Sequence, residues 1–318
     1  MLNRRAFLQS AGLAAGFGLQ AAAQTSQPAP PPGAPPAQPR TQPAPPPGSE
    51  IQVPRMKFAG VEISRLVVGC NPFYGFAHFN SILGTVMREY YTPERVCEVL
   101  HQCSRVGINA YNYVGLGRAP QDLERFQAEG GRMHLIVQGM GAPEAVLALK
   151  PLAVYHHGEM TDRAFDQGKM ETVGDWCKRC RDLGLFVGVG SHRPGILAYV
   201  EEKGWDVDFY AGCVYNRTRP PEEWRKLLNG ETLEMPNEVY LQSDPPRMYE
   251  FMRRTARPCF AFKIMAAGRI EAEGAEKAFR QAFASIKPND GVFIGIFPRA
   301  SDEVRENAER AHRILTGA

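Results

Sequence analysis

Leu152-Ala-Val-Tyr-His-His-Gly-Glu-Met-Thr-Asp162 is a short apolar run that ends in two histidines, a glycine and two acids. Successive side chains of a strand point to opposite faces, so His156 and His157 cannot both enter one cavity while the strand stays regular. One of them faces a site and the other packs. Gly158 lets the chain leave the strand sharply, which puts Glu159 and Asp162 in the loop just beyond its carboxyl end.

Working outward, seven further runs have the same form: Arg65-Leu-Val-Val-Gly-Cys70, Ile108-Asn-Ala-Tyr-Asn-Tyr113, Met133-His-Leu-Ile-Val-Gln138, Leu185-Phe-Val-Gly-Val-Gly-Ser-His192, Asp206-Val-Asp-Phe-Tyr-Ala211, Pro258-Cys-Phe-Ala-Phe-Lys-Ile-Met265 and Gly291-Val-Phe-Ile-Gly-Ile-Phe297. Each is followed by a segment with helical signals, such as Thr92-Pro93 as cap and first residue of a helix over 93–106, or Pro194-Gly195 opening the next. Strands that alternate with helices argue for a parallel sheet with crossovers. Eight such units over about 265 residues make an α/β fold of the closed (β/α)₈ TIM-barrel class. An open doubly wound sheet would carry Gly-x-Gly-x-x-Gly after an early strand, and the nearest cluster, Gly115-Leu-Gly117, lacks the third glycine.

The ends of the chain read differently. Asn3-Arg4-Arg5-Ala6-Phe7-Leu8, a short Ala/Gly/Leu-rich run and Ala21-Ala22-Ala23 have the form of a twin-arginine signal peptide over 1–23. That reading implies the twin-arginine export machinery as a partner, a periplasmic or otherwise exported location, and no stable membrane insertion, because the run is too short and glycine-rich to span. Residues 24–50 are Pro, Ala, Gln and Gly with little to bury, a disordered linker, and the barrel domain occupies 51–318.

The 37 basic and 34 acidic residues fall to 35 and 34 once Arg4 and Arg5 are removed, a balance that gives no footprint for nucleic acid. The seven cysteines sit mainly in apolar or helical settings, and Cys177-x-x-Cys180 has no second pair to complete a zinc site, so buried thiols are expected.

In a barrel of this class chemistry gathers at the carboxyl ends of the strands. There the chain places Asn71, His78, Asn112, Gln138, His157, Glu159, Asp162, Ser191, His192, Tyr215, Asn216, Lys263 and Arg299. An apolar barrel needs none of these groups, and burying each unpaired costs on the order of 1–3 kcal/mol, so together they imply a polar cavity for a small-molecule substrate.

Ser64-Arg-Leu-Val-Val-Gly69, Gly107-Ile-Asn-Ala-Tyr-Asn112, Val187-Gly-Val-Gly-Ser-His192, Ala261-Phe-Lys-Ile-Met-Ala-Ala-Gly268 and Glu306-Asn307 resemble, in this order, landmarks of the aldo/keto reductase superfamily. The resemblance spans nearly the whole folded domain and implies an NADP-dependent barrel that reduces carbonyls through an Asp, Tyr, Lys and His tetrad. The tetrad carries over poorly. Its aspartate falls on Asn112, its tyrosine near Gly117 and its lysine near Gln138 to Met140; only the histidine has a match, at His156 or His157. The resemblance thus implies a divergent, atypical oxidoreductase acting on a carbonyl or sugar-derived compound. His157, Asn112, Lys263, Tyr113 and Asp162 are its expected catalytic groups, and Ser191, Phe262, Arg299 and Asn307 its expected cofactor contacts.

The alternative is a metal-assisted isomerase, epimerase or lyase on a sugar or hydroxy acid. His78, His157, His192 and Glu159 would hold a zinc, manganese or iron ion. A sugar-binding barrel without activity is a third reading, but Trp176, Trp205 and Trp224 read as helix or loop residues and provide no aromatic platform.

Overall fold

The computed structural model describes residues 51–231 and 238–318. The expected signal peptide (1–23) and linker (24–50) lie outside the described residues. Among these, no helix is long and apolar enough to cross a membrane.

Two antiparallel strands come first, β1 (Arg55–Phe58) and β2 (Val61–Ser64). Eight parallel strands follow: β3 (Leu66–Gly69), β4 (Ala110–Tyr113), β5 (His134–Gly139), β6 (Ala153–His156), β7 (Val187–Ser191), β8 (Phe209–Cys213), β9 (Cys259–Phe262) and β10 (Gly291–Gly295). They pair in sequence order, and β10 returns to β3 with Val292 opposite Leu66, which closes the barrel.

Around it lie α1 (Ser81–Tyr90), α2 (Pro93–Arg105), α3 (Ala119–Ala128), α4 (Gly158–Asp166), α5 (Met170–Asp182), α6 (Pro194–Glu202), α7 (Pro221–Leu227), α8 (Asp244–Arg254), α9 (Ala272–Ser285) and α10 (Glu303–Thr316). After β5 the crossover is a 3₁₀ segment, Pro143–Leu149. Thr92 caps α2 ahead of Pro93 as the sequence leads one to expect, accepting from Arg95 N, and Asp302 caps α10, accepting from Arg305 N.

Alternation along the strands divides the buried apolar groups into two sets. Val67, Ala110, Ile136, Ala153, Phe209 and Phe260 fill the barrel interior, and the residues between them, such as Val68, Tyr111, Val137 and Val154, pack outward beneath the helices.

The β1–β2 hairpin, which the periodicity did not reveal, contributes Met56, Phe58 and Ile63 to the interior set. The Phe58 ring meets Phe186, Phe209 and Phe260 edge-on at 5.0–5.1 Å and stops the amino-terminal end of the barrel. Its turn, Ala59-Gly60, lacks the usual Asn-Gly or Asp-Gly signal, and Ala59 takes φ 47° there.

A second difference concerns the stretch after His157. Glu159 and Asp162 are not in a loop but on α4, which begins directly at Gly158. A Cβ on Gly158 would come within 3.3 Å of Ser191 N and His192 Cε1, closer than most side chains sit, so glycine lets α4 start against the end of β7 without displacing these atoms.

Candidate active site

A cavity of about 550 Å³ opens at the carboxyl end of the barrel, a size ordinary for small-molecule sites. Strand period decides which of the polar groups reach it. On β6, Tyr155 and, just past the strand, His157 line the cavity. His156 points the other way: its Nδ1 bonds Thr161 Oγ1 at 2.8 Å and its ring meets Trp176 edge-on at 5.2 Å. On β4 the same rule admits Asn112, which accepts a 3.1 Å hydrogen bond from the Tyr155 hydroxyl. Tyr113 is turned outward beneath the helices, so the expected role for it at the site is corrected.

His192, one residue beyond β7, lines the cavity and is held from behind by Asp162. Nδ1 of His192 lies 2.7 Å from Asp162 Oδ2, and because the partner is a carboxylate we assign the proton to Nδ1. Nε2 is then the ring's acceptor. Asp162 also accepts from Ser191 Oγ at 2.5 Å, Thr218 Oγ1 at 2.9 Å and His192 N at 3.3 Å. Burial would push the Asp162 carboxyl up, but these donors outweigh it and hold the group below the usual carboxylate range. Asp162 therefore orients His192 instead of facing the cavity. Ser191 is fully buried and shares this duty, which corrects its expected contact with a cofactor.

A chain of polar contacts runs above these groups. Asn71 Nδ2 donates to His78 Nε2 at 3.2 Å, and His78 Nδ1 donates to Glu238 Oε1 at 2.7 Å. Arg217 then bridges Glu238 Oε1 at 2.5 Å and Glu159 Oε2 at 2.9 Å. The loop carrying Arg217 is fixed by the buried Arg219–Asp244 ion pair and by Asn216 N donating to Asp244 Oδ2 at 3.2 Å. Tyr155, Arg217 and Glu238 were not among the expected site residues. Tyr155 was legible, two residues before His157 on the same strand; the loop holding Glu238 offers no periodic signal.

Burial is the main reason that the nitrogen bases are pushed towards their neutral forms. It pushes His157 down to about 4, with the Lys263 and Arg217 charges assisting. His192 falls to about 4 through burial, in spite of the Asp162 hydrogen bond. Burial also lowers Lys263, and Arg217 adds like-charge repulsion. His157 Nδ1 is buried with no hydrogen-bond partner.

These shifts predict a pH-dependent stability. His156, His157 and His192 have folded values near 4 against 6.5 for the free side chain, so the unfolded chain binds more protons between those limits. Stability is therefore lost as pH falls from about 6.5 towards 4. The urea midpoint should drop between pH 7 and pH 5; an unchanged midpoint would contradict the buried neutral histidines.

The expected metal set does not converge. Among the described residues no three of His, Cys, Asp and Glu form a metal-ligating group. Both His78 nitrogens are engaged, and Glu159 is turned to Arg217.

The expected cofactor set is divided. Phe262 and Asn307 line the cavity, whereas Arg299 is exposed and does not. Beyond Phe262 the cavity reaches Glu271, Glu303, Glu306 and Arg310. Arg310 already donates to Glu306 at 3.2 Å and Asn307 at 3.1 Å. Three carboxylates against one paired arginine suit hydroxyl groups and oppose the 2′-phosphate of NADP.

No protein-family model matches this chain, and no curated protein matches it in sequence. Among solved structures it is similar to the truncated form of 3-deoxy-D-arabino-heptulosonate 7-phosphate synthase from Thermotoga maritima. The TM-score is 0.51 and the identity 11%, over 84% of this chain and 92% of that one. A likeness at this identity speaks for the fold alone, a TIM barrel, and that neighbour is an enzyme.

Proposed function

We propose that the protein is an enzyme that moves protons at the carbon beside the carbonyl of a small hydroxylated compound, an isomerase, epimerase or lyase without need of a metal. The observation that carries this reading is that His157, His192 and Lys263 line one cavity, each held towards its neutral form. General bases of this kind are useful only when unprotonated at working pH. Asn71, Gln138 and Arg217 are polar groups suited to substrate hydroxyls.

In this mechanism His192 Nε2 takes the proton from the carbon, and the electron pair moves into the carbonyl to make an enolate. Asp162 steadies the imidazolium through Nδ1. The N–H groups of Lys263 and His157 donate hydrogen bonds to the developing negative charge on oxygen, and the His192 imidazolium returns its proton to carbon, which restores the resting enzyme.

A nicotinamide-dependent oxidoreductase is the second reading, favoured by Phe262 and Asn307 lining the same cavity. The acidic lining around Arg310 counts against NADP. So does the exported location supported by the arginine pair, where free nicotinamide cofactor is scarce.

The test is to incubate the protein with dihydroxyacetone and with glyceraldehyde in D₂O and follow their carbon-bound protons by NMR. Catalysed exchange is the expected result. Absence of exchange, together with NADPH binding seen by fluorescence quenching, would replace this reading with the second.

A further inference from the structure

Lys263 lies one residue beyond β9 with φ 62°, in the left-handed region that a lysine rarely adopts. Ala266 and Ala267 of the same segment have φ 48° and 53°. Three such residues within five make this the most contorted stretch among the described residues. Backbone held in this way is maintained by its surroundings and gathers at functional sites. Here its effect is to bring the Lys263 side chain to the cavity wall.

Among the described residues, the Lys263 ammonium has neither a hydrogen bond nor an ion pair; its recorded contact is the Phe262 ring, 5.7 Å from Nζ to the centroid. The carboxylates that would satisfy it are taken: Arg217 holds Glu159 at 2.9 Å and Glu238 at 2.5 Å, and His78 shares Glu238 at 2.7 Å. By contrast Lys287, on the way to β10, has Asp290 at 3.0 Å. A partly buried lysine that is denied its acids and set near an arginine is the arrangement that makes an amine nucleophilic. Burial and the Arg217 charge act on it in that direction.

We propose that Lys263 is a covalent nucleophile that condenses with the carbonyl carbon of the substrate to form an imine. The Nζ lone pair attacks the carbon and the carbonyl π pair moves to oxygen, which is protonated to a carbinolamine. The C–O bond then breaks, water leaves and the C=N bond forms. Nothing is oxidised or reduced, and no co-reactant is required. His157 lines the same cavity and is the group that carries protons to and from oxygen, while His192 serves the carbon-bound proton. The protonated imine is a better electron sink than the carbonyl, so proton removal from the adjacent carbon becomes easier.

This inference rests on the carbonyl reading above, and the experiment separates the two. The full chain is incubated with dihydroxyacetone and sodium cyanoborohydride near neutral pH, digested and mapped by mass spectrometry, while exchange in D₂O is followed in parallel. The expected result is a reduced adduct at Lys263 ahead of exposed lysines such as Lys57 and Lys178. Lys263→Gly, which is free of the positive-φ strain and therefore folds, should lose both the adduct and the exchange. His192→Gln should keep the adduct and lose the exchange. Adducts confined to surface lysines, or exchange that survives in Lys263→Gly, would overturn the imine while leaving the proton-transfer reading in place. Neither adduct nor exchange in the native protein would overturn both.

Discussion

Replacing His192 by glutamine is expected to lower turnover by about 10²–10⁴-fold, the usual contribution of a positioned general base. Glutamine approximates the reach of the imidazole and can keep a hydrogen bond to Asp162, but it cannot take a proton. The fold should persist, since the other donors to Asp162, Ser191 at 2.5 Å and Thr218 at 2.9 Å, are untouched. Asp162→Asn gives an independent check. An amide at this place can donate towards His192 Nδ1 and so favours the tautomer with the proton on Nε2, which removes the base without removing the ring. Its loss should approach that of His192→Gln, and the double variant should be little worse than either single one. Because burial pushes His192 down to about 4, the native rate should hold from neutrality to about pH 5 and decline only as pH approaches that value. A rate that instead falls with a midpoint near 6.5, or a His192→Gln enzyme within a few-fold of native, would remove His192 from this role.

Phe58→Ala is expected to cost about 3–5 kcal/mol of stability, through lost burial and the void left at the amino-terminal end of the barrel. Phe58 is 2% exposed and its ring sits among three others at 5.0–5.1 Å. Those edge-on pairs add to the simple loss of apolar area. Met56 and Ile63 cannot fill the gap, because they already occupy their own places in the same cluster. Urea unfolding measures the effect, and a loss below about 1 kcal/mol would mean that the hairpin settles inward and is no fixed stopper. The cavity lies at the other end of the barrel, so exchange activity per folded molecule should be unchanged.

The eight strands, their order of alternation with helices and the polar character of their carboxyl ends could be read from the chain. These follow from local apolar runs and period-two alternation, which need no knowledge of distant residues. Even the division of labour between Asn112 and Tyr113, or between Tyr155, His156 and His157, is a matter of strand period once one inward residue is known. Other features had no local signal. Ala59-Gly60 is a weak turn sequence, so the stopper hairpin became visible only by what it packs against. The start of α4 at Gly158 depends on the close approach of Ser191 and His192 at the end of the neighbouring strand β7.

The roles of the site residues were the least legible part, because they depend on partners far away in the chain. Asp162 was expected to act on substrate, yet it lies behind His192, thirty residues on. His78 was expected to bind a metal, and its two nitrogens are taken by Asn71 and by Glu238, 160 residues away. The amino-acid order by itself determined a barrel of eight βα units with polar groups at one rim, because strand and helix periods are local properties. Which of those groups support others, and which, like Lys263, are left without a partner at the cavity wall, was decided only when barrel closure brought distant charges together, since hydrogen bonds and desolvation act over a few ångströms in space whatever the separation in sequence.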